Sequence, residues 1–100
     1  MAFARDVAED HGVSAFIDAE AAKNPRLRDL FDGLIWRLAR DPECGEMVAG
    51  TDGRWVVRSE VWPGMPGVLV LAYRFDDEKV ELSGAKLVPI IQGGDKAQAA

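Results

Sequence analysis

The sequence predicts an α+β fold in which an N-terminal helical hairpin packs on a three- to four-stranded antiparallel β-meander. Two observations lead to this prediction. A strongly amphipathic helical pattern ends at Asp41-Pro42, and three β-like runs follow it in close succession. These runs cover residues 54–62, 68–75 and 79–88. Helices followed by a run of neighbouring strands are typical of an α+β domain.

Two helices are predicted ahead of the meander. Residues 13–23 are rich in alanine and place apolar side chains at helical spacing. Asn24-Pro25 separates this helix from the next, since Asn is a favoured N-cap and Pro suits the first helical position. The second helix has one apolar stripe, formed by Leu27, Leu30, Phe31, Leu34, Ile35 and Leu38. Residues 1–12 fit either a short strand or a helical lead-in.

The strand pattern predicts which side chains face the helices. The run 68–75 is apolar on both faces until Arg74, as expected of a central strand. The helix-facing set is predicted to be Leu69, Leu71, Tyr73 and Phe75, with Trp55 and Val57. The opposite face would carry Arg54, Arg58, Val70 and Arg74. This assignment depends on strand register, because a slip of one residue exchanges the two faces.

Length and composition predict one small folded domain at 1–91 and a flexible tail at 92–100 that begins near Gly93-Gly94. Hydrophobic residues make up 48% of the chain, which argues against intrinsic disorder. The formal net charge of −5 disfavours broad, non-specific binding to nucleic acid, since such binding relies on neutralising phosphates.

Cysteine and histidine usage limits location and cofactors. Cys44 has no second cysteine to pair with, so a reducing cytoplasm is the simplest location. We expect no metal and no other cofactor, because His11 is the only histidine and no phosphate-loop or nucleophile-elbow motif occurs. The charges within residues 1–10 do not fit a signal peptide, and no apolar run approaches the ~20 residues of a membrane helix.

Three segments of the chain resemble the RelE/ParE superfamily of bacterial toxins. Residues 34–42, with Gly45 soon after, are similar to the family's helix exit, and residues 48–58 resemble its linker glycine and first meander strand. Residues 71–80 resemble its tyrosine-containing hairpin. Together the resemblance covers roughly residues 26–88, and the order and spacing of the segments are more specific than any one of them.

This resemblance implies a toxin held by a cognate antitoxin. RelE-like relatives are ribonucleases that cut messenger RNA on the ribosome, and ParE-like relatives inhibit DNA gyrase. A ribonuclease needs cationic side chains at the scissile phosphate and groups that transfer protons. The resemblance matches Arg58 to the family's meander arginine and Tyr73 to its tyrosine. Arg74, which is predicted to share a sheet face with Arg58, is the third catalytic candidate.

The chain departs from the family pattern at three places, one of which is the long segment 62–67 between the first two strands. Leu69-Val70 stands where relatives often carry Tyr-Arg, and residues 86–91 contain one lysine and no aromatic side chain. These departures and the acidic net charge favour an alternative function, a non-catalytic protein-binding or dimerising module on the same scaffold. A homodimer formed through the apolar sheet face is a third hypothesis.

The remaining candidate contact residues each have an ordinary structural interpretation as well. Arg54 would contact nucleic acid or a partner, or would be a solvated charge. The same holds for Arg37 and Arg40 of the second helix, where Arg40 also complements the helix dipole. Val70 would contact a partner on the exposed sheet face. Trp62 would anchor a partner from the 62–67 loop, or fold back onto the sheet.

Overall fold

The computed structural model describes residues 4–61, 65 and 67–89, and they form an α+β fold. The elements in chain order are β1 (Asp6–Glu9), α1 (His11–Lys23), α2 (Arg26–Arg40), a 3-10 turn (Pro42–Cys44), β2 (Glu46–Met47), β3 (Trp55–Arg58), β4 (Gly67–Phe75) and β5 (Lys79–Pro89). The predicted α+β class is therefore confirmed.

The sheet of the described residues has five strands in the order β1-β5-β4-β3-β2, and β1 runs parallel to β5. The prediction of three or four purely antiparallel strands is therefore wrong. The meander of β3, β4 and β5 is antiparallel as predicted. The parallel strand β1 closes one edge, and the short β2 pairs antiparallel with β3 at the other.

Helix α1 is held at its start by a side-chain cap. The Oδ1 of Asp10 accepts a 2.9 Å hydrogen bond from the Val13 backbone N–H. Asn24 caps the end of α1 and contacts the start of α2. Its backbone N–H donates to the Glu20 carbonyl, and its Oδ1 accepts from the Arg26 N–H at 3.1 Å. Pro25 precedes α2 rather than occupying its first turn, a difference of one residue from the prediction.

Both helices pack on one face of the sheet, and the core lies between the two layers. The predicted stripe of α2 is buried except for Ile35, which is half-buried. From the sheet, Val57, Leu69, Leu71 and Tyr73 point into this core together with Val80 and Leu82. The predicted assignment of the two sheet faces agrees with this burial, because strand alternation in β4 fixes which side chains face the helices.

The exit of α2 is joined to the centre of the sheet by Tyr73. Its hydroxyl donates a 2.6 Å hydrogen bond to the carbonyl oxygen of Pro42 in the 3-10 turn. Gly45 follows this turn and lies against the Val56 carbonyl and the Tyr73 hydroxyl, leaving no space for a larger side chain. The turn that ends α2 is thereby fixed beside β3 and β4.

Two sequence predictions concern residues that the structure does not describe. The tail at 92–100 lies outside the described residues, and so does Trp62. Of the 62–67 loop, Met65 and Gly67 are described, and Met65 is buried against the core. Among the helices of the described residues, none has the length and apolar character to span a membrane.

Candidate functional site

The candidate site is the outer face of the sheet, which is the face turned away from both helices. Strand alternation and register place a shared set of side chains there: Val56, Arg58, Val70, Ala72, Arg74, Gly84 and Lys86. Arg58 lies directly opposite Val70, and Val70 lies directly opposite Lys86. The outer face therefore alternates small apolar side chains with cations.

A shallow groove of about 430 Å³ runs over this face. Its floor is apolar and half-buried, formed by Val56, Val70, Ala72 and Gly84. Arg54 and Lys86 line it on opposite sides, from β3 and β5. Since Gly84 has no side chain and Ala72 has only a methyl group, the floor is open enough for a contacting side chain to reach the backbone layer.

Most cations of the outer face have no acidic partner among the described residues. Arg54, Arg74 and Lys86 form no ion pair within the part of the chain that the structure describes. Glu81 lies opposite Arg74 in register, but its carboxylate pairs with Lys79 at 3.0 Å. The outer face is therefore locally positive in a chain whose net charge is −5.

Arg58 is the exception, because its Nη1 lies 3.4 Å from the Oε1 of Glu46. Glu46 belongs to the two-residue strand β2 and stands opposite Val56, which brings its carboxylate onto the outer face. Glu46 was not among the residues predicted from the sequence. Its strand is too short to show alternation, and only the pairing of β2 with β3 brings it to Arg58.

The catalytic candidates Arg58, Arg74 and Tyr73 are not brought together. Both arginines lie on the outer face, whereas Tyr73 is fully buried on the helix-facing side. Burial raises the pKa of Tyr73 to about 12, and its proton is already donated to the Pro42 carbonyl. A phenol in this environment is a poor proton donor to a substrate on the other side of the sheet.

Two further predicted contact residues, Arg37 and Arg40, lie away from the outer face. Arg37 and Arg40 project from α2, on the helix side of the sheet. The guanidinium of Arg40 stacks on the Trp36 ring at 4.0 Å and donates to the Trp36 carbonyl. Trp62 lies outside the described residues. Of the predicted contact residues, the structure therefore brings Arg54 and Val70 together with Arg58.

The chemistry available on the outer face is charge recognition, with a carboxylate beside one of its arginines. Among the described residues, no three His, Cys, Asp or Glu side chains come together as a metal site. The half-buried thiol of Cys44 has a raised pKa, chiefly because of burial, and it lies on the helix side near Arg37. Among the described residues, Glu46 is the carboxylate that forms an ion pair with an outer-face arginine.

Comparisons with protein-family models, with curated proteins and with solved structures found no match to this chain. A function for the chain therefore has to be inferred from the geometry of its described residues.

Proposed function

We propose that this chain is a RelE/ParE-like toxin component that acts by binding a partner protein rather than by cutting RNA. The observation that supports this proposal is the outer face, an apolar groove lined by cations that have no acidic partner among the described residues. Its natural complement is an amphipathic segment that carries acidic side chains. The toxic target, DNA gyrase, would offer such a segment to the outer face, and a cognate antitoxin would neutralise the toxin by covering the same face.

The placement of Tyr73 supports binding over catalysis. A ribonuclease of this type requires proton transfer at the 2′-hydroxyl and at the leaving oxygen. The buried tyrosine and the outer-face arginines are separated by the thickness of the sheet. The outer face thus offers charge and apolar surface, both of which suit a protein segment.

The charges of the outer face also favour a different chain as partner over a second copy. A twofold dimer formed through the groove would bring Arg54 and Lys86 of one copy close to the same cations of the other. Like charges that face one another across an interface are unfavourable, at a cost of several kcal/mol. An acidic segment avoids this repulsion. Its attraction to the outer-face cations also speeds association, because it acts over long distances.

A ribonuclease that cuts messenger RNA on the ribosome is a second candidate, because Glu46 and Arg58 lie together on this face. A carboxylate 3.4 Å from a guanidinium is a suitable pair for general-base catalysis beside a phosphate. This candidate replaces Tyr73 with Glu46 as the group that transfers protons. It makes the carboxylate of Glu46 essential, which the binding proposal does not.

Growth of a bacterial host after induced expression of the chain alone tests the proposal. Val70→Asp places a carboxylate in the centre of the cationic groove and is expected to relieve the arrest. Ala15→Asp is the matched control, because it adds the same group at an exposed position of α1. Glu46→Gln keeps the size of the side chain but removes the base, and it is expected to leave the arrest unchanged.

The soluble protein level and the circular dichroism spectrum are measured for each variant, so that misfolding is not mistaken for lost binding. Relief by Glu46→Gln, with cleaved messenger RNA in cells that express the parent chain, would replace the binding proposal with the ribonuclease. Absence of arrest with soluble, folded parent protein would reject the toxin function in that host.

A further inference from the structure

The apolar floor of the outer face contains a row of side chains that runs across the strands. Val56, Ala72 and Gly84 lie side by side in register, on β3, β4 and β5. The groove above this row extends from Val48, which follows β2, to Lys86 on β5. Since neighbouring strands lie about 4.8 Å apart, the row is about 10 Å long from β3 to β5. A segment that fills the groove therefore crosses three strands.

The middle of the sheet offers no backbone hydrogen bonds to such a segment. The backbone N–H and C=O groups in the centre of β4 already pair with β3 and β5. An extended segment laid over them would bury its own polar groups without partners, which is costly. A helix pairs its own backbone groups, and helices commonly cover the face of a sheet. The apolar stripe over two helical turns is about 10 Å long, which matches the row.

Cations stand on both sides of this apolar row. Arg54 and Arg74 flank it on one side and Lys86 on the other, because β3 and β5 run in the same direction and β4 runs against them. None of the three forms an ion pair with a described residue. Glu46 and Glu81 also lie on this face, but each already pairs with a cation, at 3.4 and 3.0 Å. The flanks therefore favour acidic side chains on both sides of the helix's apolar stripe.

We propose that the outer face binds an amphipathic α-helix of a partner protein, which lies across β3, β4 and β5 with acidic side chains on both sides of a narrow apolar stripe. A large apolar side chain of this helix lies over Ala72 and Gly84, where the floor has the smallest side chains. Arg54 and Lys86 bind carboxylates on opposite sides of the stripe. The inference rests on the function proposed above, because it specifies the partner of the same face.

A fluorescent peptide of about 15 residues, long enough to form a helix, tests this inference by fluorescence polarisation against the full chain. It carries leucine at every third or fourth position, with glutamate on both sides of that stripe. One control peptide has lysine in place of glutamate, and a second has the same residues reordered so that leucine and glutamate alternate. The helical glutamate peptide is expected to bind about tenfold or more tightly than either control. Circular dichroism of the mixture is expected to show a gain of helix.

Two variants of the chain test the floor and the flank separately. A Cβ added at Gly84 would lie 3.6 Å from the Ala72 Cβ, an ordinary contact, so Gly84→Val is expected to fold and to raise the floor. Binding of the helical glutamate peptide is expected to weaken about tenfold. Lys86→Glu is expected to weaken it at least as much, because attraction becomes repulsion. Lys23→Glu is the matched control, since it makes the same charge change at an exposed position of α1.

Equal binding of the three peptides, binding of none, or unchanged binding by Lys86→Glu would overturn the inference. Tighter binding of the alternating peptide would assign an extended segment to this face and would overturn it as well. Failure of the helix is distinguishable from failure of the proposed function, because the latter is measured by growth. Relief of the arrest by Val70→Asp, with no binding of the helical peptide, would reject the helix and keep a binding function for the face.

Discussion

The Tyr73 hydroxyl and the Pro42 carbonyl form a buried 2.6 Å hydrogen bond that joins the central strand to the end of α2. The two residues are far apart in the chain, so this bond holds a long-range contact between the helix layer and the sheet. It also occupies the phenolic proton that a catalytic role would require. The same contact thus explains how the fold is held and why Tyr73 does not serve the outer face.

Tyr73→Phe is expected to lower the free energy of unfolding by about 1–3 kcal/mol, because the buried Pro42 carbonyl loses its donor while the ring is retained. Denaturant unfolding measures the effect. Ser83→Ala is the control, since its exposed hydroxyl makes a longer, 3.4 Å hydrogen bond and its loss is expected to change little. Equal effects of the two substitutions would contradict a structural role for the Tyr73 hydroxyl.

Stability is expected to fall in alkaline solution because burial raises the pKa of Tyr73 from 10.0 to about 12. The folded state holds the phenolic proton more tightly than the unfolded state does, so this contribution is complete below the unfolded pKa. It is lost between about pH 10 and pH 12 and amounts to about 3 kcal/mol. Tyr73 is the only tyrosine, so tyrosinate absorbance reports this group alone. If the Tyr73 hydroxyl of the folded protein instead titrates near pH 10, it is solvated and the buried hydrogen bond is contradicted.

Gly45→Ala and Gly33→Ala are expected to change stability in opposite directions. A Cβ at Gly45 would collide with the Val56 carbonyl and lie 2.6 Å from the Tyr73 hydroxyl, for a loss of about 1–3 kcal/mol. Gly33 lies within α2 with nothing within 4 Å of an added Cβ, so alanine should stabilise the helix by about 1 kcal/mol. Thermal unfolding followed by circular dichroism compares the pair, and a stable Gly45→Ala would contradict the close packing of this turn against β3 and β4.

The Arg58–Glu46 ion pair is expected to contribute little to stability. Both side chains are more than half exposed, at 62% and 74%, and exposed pairs contribute under about 1 kcal/mol. Arg58→Ala and Glu46→Gln should therefore unfold close to the parent chain in denaturant. A larger loss for either would contradict this, and for Glu46→Gln it would mean that an effect on growth reports folding rather than function.

The helices and the three meander strands were predictable because each carries its own periodic pattern, although β3 ends at Arg58 rather than continuing to residue 62 as predicted. The apolar stripe of α2 and the alternating residues Leu69, Leu71 and Tyr73 can be read from the local sequence, and the structure buries them. Strand β1 was not predictable in this way. It has four residues, of which Val7 alone is half-buried, and its parallel partner β5 lies far along the chain. Pairing between strands that are so far apart in the sequence leaves no pattern in the local sequence of either strand.

The candidate site was predictable only in part, for the same reason. Alternation along β3 and β4 is a local pattern, and it is sufficient to place Arg58, Val70 and Arg74 on one face. Glu46 joins them only through the register of a two-residue strand. Tyr73 was misleading as a catalytic candidate because alternation itself puts it on the opposite face from Arg74.

The measurement that tests the central claim most directly is growth after induced expression of the parent chain, Val70→Asp and Glu46→Gln, with matched soluble protein. Binding through the outer face predicts arrest by the parent chain and by Glu46→Gln, and growth with Val70→Asp. Arrest that persists in Val70→Asp, or that Glu46→Gln relieves, would contradict the claim that this face acts by binding a partner protein.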